Sequence, residues 1–300
     1  NFGEVTLLTG DVHEGGFFHQ VEIEGGKVSS VLFRKIVEDR IYDVAEYVKK
    51  NNRWEESIVD RGRYKALQRY ENYDAKTEKY SHIPEIVLFK EIKQFFKTFQ
   101  TQETEARIEI LEKSLKGLDK PLDDVAVDVV GSVNVGQAQP SSDIDMVLYM
   151  RCGTGCTDLH TSCDKFQAAR AIIEKAVGAF YKFEILDCID LNVVEKSIRE
   201  RNYECEVTQR FVAYRSICRT INYRVIAPVE DMLNADIEFR KELEGSIRSY
   251  FKIFITNARY LQSFEKYVNR LKTVGIKLPD SMKRKLKSLL QESKINERND

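Results

Sequence analysis

Two carboxylates spaced two residues apart, Asp143 and Asp145, close the segment Gly131-Ser132-Val-Asn-Val-Gly136-Gln-Ala-Gln-Pro-Ser141-Ser142-Asp143-Ile144-Asp145. The run Val125–Val130 before it reads as a strand, and Ile144–Tyr149 at its end reads as another. Residues two apart on a strand point to the same face. Paired carboxylates on one face repel unless a cation sits between them, and hard oxygen ligands suit Mg²⁺ or Mn²⁺ carrying a substrate phosphate. A Gly-Ser turn at the end of a strand offers backbone N–H groups and a hydroxyl to a phosphate chain. Together these residue types point to phosphoryl-type transfer, in which phosphate charge is neutralised and a base takes the proton of the nucleophile.

Two more acids, Asp187 and Asp190, lie in or beside strand-like sequence further along the chain. Tyr181–Leu186 and Ile189–Val194 read as two strands joined by a tight turn at Asp187-Cys188. Asp190 lies between Ile189 and Leu191, where a carboxylate is costly unless something pairs it. Asp187 is the rival, but Asp is common in turns for local reasons. Taken singly, Asp143 would pass for a turn residue and Asp145 for an outward-facing strand residue. The combination of Gly-Ser, Gly136, Asp-x-Asp and a later strand acid is more specific.

That combination resembles the signature of the DNA polymerase β-like nucleotidyltransferase superfamily, with the spacing of the minimal nucleotidyltransferases. The motif covers about fifteen residues, and the supporting pattern runs over about 85–195. The resemblance implies a nucleotidyltransferase fold, with a small mixed β-sheet flanked by helices. It implies transfer of a nucleoside monophosphate from an NTP, with ATP the expected substrate, to a hydroxyl acceptor with release of pyrophosphate. Gly131, Ser132 and Ser142 would bind the nucleotide; Asp143, Asp145 and Asp190 would be the catalytic and metal-binding acids, with Mg²⁺ or Mn²⁺ as cofactor. The acceptor (protein, RNA or a small molecule) leaves no mark on such a motif. Val135-Gly136-Gln137 and Ser141-Ser142-Asp143-Ile144-Asp145 are also similar to bacterial class I adenylate cyclases, with one residue fewer after the Gly-Ser. On that alternative the nucleotide's own 3′-hydroxyl attacks and cyclic AMP results. A third alternative is a catalytically silent, nucleotide-binding regulatory module.

The elements around the motif give an α+β (α/β) chain in three parts: an N-terminal β-hairpin/helix module over 1–80, the catalytic core over 81–204 and a helical region over 205–300. Residues 4–33 read as strands, with a hairpin turn at Gly25-Gly26. Phe33, Ile36, Val37, Ile41, Val44 and Val48 recur at helical spacing and predict a helix. Residues 50–80 read as a surface helix or linker. Pro84 opens a helix whose stripe is Ile86, Phe89, Ile92, Phe95, Phe96 and Phe99, and a second follows over 104–116. Asp164 is placed as the N-cap of a further helix. Two long helices are expected within 230–270, broken near Gly245, and a last amphipathic helix after Pro279.

At 300 residues, 42% of them hydrophobic, the chain can bury real cores. Its formal net charge of −1 argues against a protein built mainly to hold nucleic acid, which stays an outside candidate as partner. No apolar run is long enough for a membrane span. The first residues do not read as a signal peptide, and the lack of an initiating Met fits a processed chain or a fragment. Six thinly spread cysteines suit reduced thiols and a cytoplasmic setting. Cys152, Cys156, His160 and Cys163 are zinc-compatible ligand types, though their spacing fits no usual zinc framework. The basic run Lys283, Arg284, Lys285 and Lys287 reads first as a solvated helix face, and second as a contact for a polyanion.

Overall fold

The computed structural model describes residues 5–9, 17–37, 40–57, 73–77, 79–117, 123–152, 163–257, 260–273, 276 and 278–296. The chain divides into two compact units, Asn1–Asn72 and Tyr73–Asp300. Residues 81–204 and 205–300 therefore fall within one unit.

The first unit is an antiparallel sheet in sequence order: β1 (Val5–Thr9), β2 (Phe17–Glu24), β3 (Lys27–Val37), β4 (Arg40–Lys50) and β5 (Arg53–Ser57). Two of its hairpins turn through paired left-handed residues, Gly25-Gly26 (φ +57° and +74°) and Asn51-Asn52 (φ +47° and +61°). Both pairs match the two-residue turns whose twist suits flanking strands. The helix expected over Phe33–Val48 is not formed; of those residues, 33–37 belong to β3 and 40–48 to β4, with Ile36 opposite Ile41 and Val37 opposite Arg40. Val, Ile and Tyr dominate the segment and favour a pleated surface. A register shift between Phe33 and Arg34 breaks the two-residue alternation, so the apolar residues imitate a helical period. The expected surface helix over 50–80 is replaced at its start by β5, and residues 58–72 lie outside those described.

The second unit is built on a mixed sheet ordered β8-β7-β6-β9: β6 (Ala126–Val129), β7 (Ile144–Met150), β8 (Phe183–Asp190) and β9 (Arg219–Ile221). β7 and β8 run parallel, and the other pairs are antiparallel. Parallel neighbours need a crossover, supplied by the chain that contains α4 (Asp164–Ala176). The remaining helices are α1 (Pro84–Thr98), α2 (Gln102–Gly117), α3 (Gly131–Val135), α5 (Leu191–Arg199), α6 (Glu206–Ile217), α7 (Ala227–Ala235), α8 (Ile237–Asn257), α9 (Tyr260–Thr273) and α10 (Asp280–Asn296). The chain thus mixes helices with small sheets, an α+β arrangement.

Alternation along the strands gives the sheet two buried faces. Val127, Val129, Met146 and Leu148 pack with Ile108 and Leu111 of α2 and Phe166, Ala169 and Ile173 of α4. Tyr149, on the other face, meets Phe211 of α6 edge-on at 5.7 Å. Three elements differ from expectation. Residues 183–190 form one strand and 191–199 a helix, so no turn occurs at Asp187-Cys188. The N-cap of α4 is Cys163, and Asp164 is the first helical residue. α8 runs through Gly245 unbroken; packing on α6 and α7 offsets the weak helix propensity of one glycine.

The phenylalanine stripe of α1 is core, as its spacing predicts. Phe96 is fully buried; it stacks on Phe264 of α9 at 5.6 Å and meets Tyr267 edge-on at 5.7 Å. Burial of that ring is what docks α9 onto α1. Phe96→Ala is expected to cost about 3–5 kcal/mol in urea unfolding, the usual loss for a core aromatic. A loss below about 1 kcal/mol would show that α9 docks by other means.

Candidate active site

The Gly-Ser segment forms the short helix α3, and the chain reaches it through a left-handed glycine. Gly131 has φ +59°, and a Cβ built on it would lie 2.3 Å from Asp145 Oδ2. Only glycine permits both the conformation and the contact. The N–H of Val130 donates to the Asp145 carbonyl at 2.9 Å. The Gly131-Ser132 turn and the Asp143-x-Asp145 strand, separated by a loop in sequence, are therefore packed against one another. Ser142 sits in that loop, where its hydroxyl accepts the Gln139 N–H at 2.9 Å and helps shape the turn.

The acid beside Asp145 is one the sequence reading missed. In the parallel pair β7–β8, Asp145 stands opposite Glu184. Burial pushes the Asp145 carboxyl up to about 6, and the negative charges of Asp143 and Glu184 add to the rise. Asp190 is not brought to the pair. It stands opposite Met150, five residues further along β7, or roughly 16 Å at the rise of a strand. There it caps α5: Oδ1 accepts from the N–H of Asn192 at 2.9 Å and of Cys152 at 3.2 Å. Its carboxylate is thus satisfied by backbone donors, as an N-cap requires. Asp187 is also buried within the strand, in an ion pair with Arg210 of α6 at 3.0 Å. The apolar–acid–apolar triplet that suggested Asp190 occurs equally at Phe183-Glu184-Ile185. Reading one strand instead of two would have exposed it.

One buried cation sets the loop that leads to the acids. Arg107 of α2 is fully buried. Its guanidinium donates to the carbonyls of Gln139 (3.0 Å), Pro140 (3.1 Å) and Ser142 (2.9 and 3.1 Å). It pairs with Glu103 at 2.5 Å and lies over the ring of Tyr181 at 4.3 Å. Only a planar fork of five donors can serve so many acceptors at once. Tyr181 precedes β8 and Ser142 precedes β7, so one side chain fixes the start of both acid-bearing strands.

The C-terminal helices complete the surroundings. Burial pushes the Tyr267 hydroxyl up to about 12, and the charge of Asp145 contributes to the rise. Arg270, one turn further along α9, donates to Gln137 Oε1 at 2.9 Å and to the Phe99 carbonyl at 3.1 Å. Gln137 in turn donates to Phe96 O at 2.8 Å. Gly136 takes φ +86° to end α3, and a Cβ there would meet Lys97 Cα at 3.3 Å. Val135-Gly136-Gln137 therefore serves as scaffold between α3, α1 and α9.

Asp143 and Asp145 offer the hard oxygen donors that Mg²⁺ prefers, and their mutual repulsion would be relieved by a cation. Among the described residues no group of three or more His, Cys, Asp or Glu is placed to hold a metal by itself. Such an ion would need water and substrate phosphate oxygens to fill its shell, the usual manner of Mg²⁺ binding. Of the four zinc-compatible residues, Cys156 and His160 lie outside the described residues. Cys152 is buried and Cys163 half-buried. Among the described residues no helix is long and apolar enough to cross a membrane. No family model, curated protein or solved structure matches this chain.

Two outcomes follow from this geometry. A carboxyl raised in the folded state adds stability while protonated and loses it as pH rises through the folded value. Asp145, raised from 3.8 to about 6, therefore opposes folding of the metal-free chain above pH 6. That rise corresponds to at most about 3 kcal/mol, and solvent reaching the half-buried side chain reduces it to about 1 kcal/mol. Asp145→Asn should stabilise the chain by that amount at pH 8 in EDTA and by almost nothing at pH 4, measured by urea unfolding. Equal stabilities at pH 8 would contradict the repulsion. Arg107→Lys should cost at least about 2 kcal/mol, because a lysine leaves several buried carbonyls without donors. It should also speed amide exchange at Ser142 and Asp143; unchanged exchange would mean the loop holds itself.

Proposed function

We propose that the chain is a metal-dependent nucleotidyltransferase with a DNA polymerase β-like nucleotidyltransferase fold. The observation that carries the proposal is the packing of Gly131 directly against the Asp145 carboxylate. A phosphate-binding turn and a metal-binding pair must lie that close to engage the same triphosphate. Further support comes from Glu184 standing beside Asp145 on the neighbouring parallel strand.

In this mechanism Asp143 and Asp145 hold Mg²⁺ or Mn²⁺. When bound, the cation neutralises phosphate charge on the triphosphate. Ser132 and the backbone around Gly131 receive the β- and γ-phosphates of an NTP, with ATP the expected one. The acceptor hydroxyl oxygen bonds to the α-phosphorus while the bond from that phosphorus to the β-bridging oxygen breaks. Pyrophosphate leaves with the electron pair, and the hydroxyl proton passes to Glu184. Glu184 is exposed and Asp145 half-buried, so Glu184 is the better placed of the two strand acids to meet an incoming hydroxyl. The similarity to class I adenylate cyclases in Val135-Gly136-Gln137 weighs little for cyclisation, because these residues are engaged in holding α1 and α9.

Incubation with each α-labelled NTP and Mg²⁺ or Mn²⁺ tests the proposal. Label should move to protein, RNA or a small acceptor; label in a cyclic nucleotide would favour the cyclase alternative, and none in any product the silent module. Asp143→Asn and Asp145→Asn should abolish transfer. Glu184→Gln should slow it by at least ~10²-fold, the size of lost general-base work, whereas Asp190→Asn should leave turnover near the parent and lower stability. Full activity in Asp143→Asn would refute the metal assignment. A larger loss in Asp190→Asn than in Glu184→Gln would return the third role to Asp190.

A further inference from the structure

A cavity of about 440 Å³, whose described lining includes neither Asp143 nor Asp145, is rich in basic side chains. Five basic side chains line it: Lys90, Lys93 and Lys97 of α1, Arg215 of α6, and Lys79. Glu230 of α7 is the one carboxylate among its described lining residues. Glu230 is taken up locally, by Arg215 at 2.7 Å, Lys79 at 3.0 Å and the Tyr223 hydroxyl at 2.8 Å. Arg215 is answered a second time by Asp128, beneath it in the sheet, at 2.7 Å.

Lys90, Lys93 and Lys97 follow helical spacing and share one side of α1. A solvated lysine face would be exposed; instead Lys90 and Lys93 are buried. The Lys90 ammonium donates to the Lys79 carbonyl at 2.5 Å, and that of Lys93 donates to the carbonyl of Ile217. Burial, followed by the charges of Lys97 and Lys90, pushes Lys93 well below its ordinary value. Concentrating ammonium groups in a cavity is expensive unless an anion occupies it. Backbone strain marks the same wall. Tyr80 takes φ +60°, a left-handed conformation that a bulky residue adopts only when held there, and its hydroxyl reaches Glu230 at 3.5 Å.

We propose that this cavity is a binding site for a small phosphorylated molecule bearing two or more negative charges, separate from the site of nucleotidyl transfer. Its volume lies in the range of small-molecule sites, larger than a lone phosphate needs. Tyr73, Tyr80 and Tyr223 supply walls for the organic portion, and Lys79 and Arg215 each lie 5.9 Å from the Tyr223 ring. The site also has a route to α3. The Ile217 carbonyl accepts from both Lys93 and Asn134 Nδ2, the latter at 3.1 Å, and Asn134 is a residue of α3. A ligand phosphate drawing Lys93 from that carbonyl would leave Asn134 as its donor and act on the helix that begins at Gly131.

Calorimetric titration of the full chain with sodium pyrophosphate in EDTA, against sodium chloride of matched ionic strength, tests the assignment. EDTA removes the cation that would draw pyrophosphate to Asp143 and Asp145. Lys79→Gln with Lys97→Gln should weaken binding at least about tenfold, the size of losing charge-assisted hydrogen bonds. These two lysines are the more open ones, so the fold should survive, as circular dichroism would verify. Lys97→Arg should retain binding, and so should Asp145→Asn and Ser132→Ala. Equal affinity in the lysine pair variant would overturn the proposal, as would heats no larger than those of sodium chloride. Loss confined to Asp145→Asn or Ser132→Ala would place the anion at the transfer site instead. A single-stranded oligonucleotide that displaces pyrophosphate with higher affinity would put a polymer there and likewise overturn it.

Discussion

The second unit depends most on the buried guanidinium of Arg107. Its hydrogen bonds decide where the acids are. A loop of carbonyls turned inward at Gln139, Pro140 and Ser142 would be ruinous without donors, since each buried acceptor left unpaired costs about 1–3 kcal/mol. Arg107 supplies those donors from α2, and Glu103 one turn earlier balances its charge. The ring of Tyr181 closes the other side of the guanidinium. The strand carrying Asp143 and Asp145 and the strand carrying Glu184 are thus referenced to one rigid side chain. Lysine, with a compact ammonium, could not do this.

A second network fixes the opposite side of the Gly-Ser turn. Gln137 accepts from Arg270 and donates to α1, while Gly136 lets α1 approach the end of α3 closely. The aromatic stack of Phe96, Phe264 and Tyr267 holds α9 in the place from which Arg270 can reach. The division drawn in the sequence between a core ending at 204 and a helical region after it separates residues that share these contacts. Polar contact follows from apolar docking here: without the stack, Arg270 would lose its partner.

Much of the site was legible in sequence because its geometry is local. Gly131, Ser132, Asp143 and Asp145 are near neighbours along the chain, and strand periodicity alone puts the two aspartates on one face. Glu184, Arg107 and Arg270 are distant in sequence, and their relation to the site exists only once strand register and helix docking are known. Asp190 shows the limit of the local argument. Apolar flanks suit a strand acid, but they suit an N-cap between a strand and an amphipathic helix equally well. The segment Phe33–Val48 failed for a related reason, since a register shift in a hairpin can forge a helical period. The phenylalanine stripe of α1 was unambiguous because a helix of that length gives several turns of agreement.

The unit holds groups of like charge in two places, with opposite sign. At the starts of β7 and β8, Asp143, Asp145 and Glu184 crowd; burial first, and those neighbouring charges second, push the Asp145 carboxyl up to about 6. Along α1 the lysines crowd; burial first, and the charges of Lys97 and Lys90 after it, push Lys93 well below its ordinary value. Neither crowd can relieve the other directly, because the intervening groups are already matched: Asp128 with Arg215, Glu230 with Arg215 and Lys79. What lies between is α3, bounded by Gly131 against Asp145 and tied through Asn134 to the carbonyl that Lys93 occupies. On the two proposals made above, a cation would neutralise the acids at one end of α3 and an anion the lysines at the other. Any differential contact of either ligand with α3 would change both affinities by the same factor.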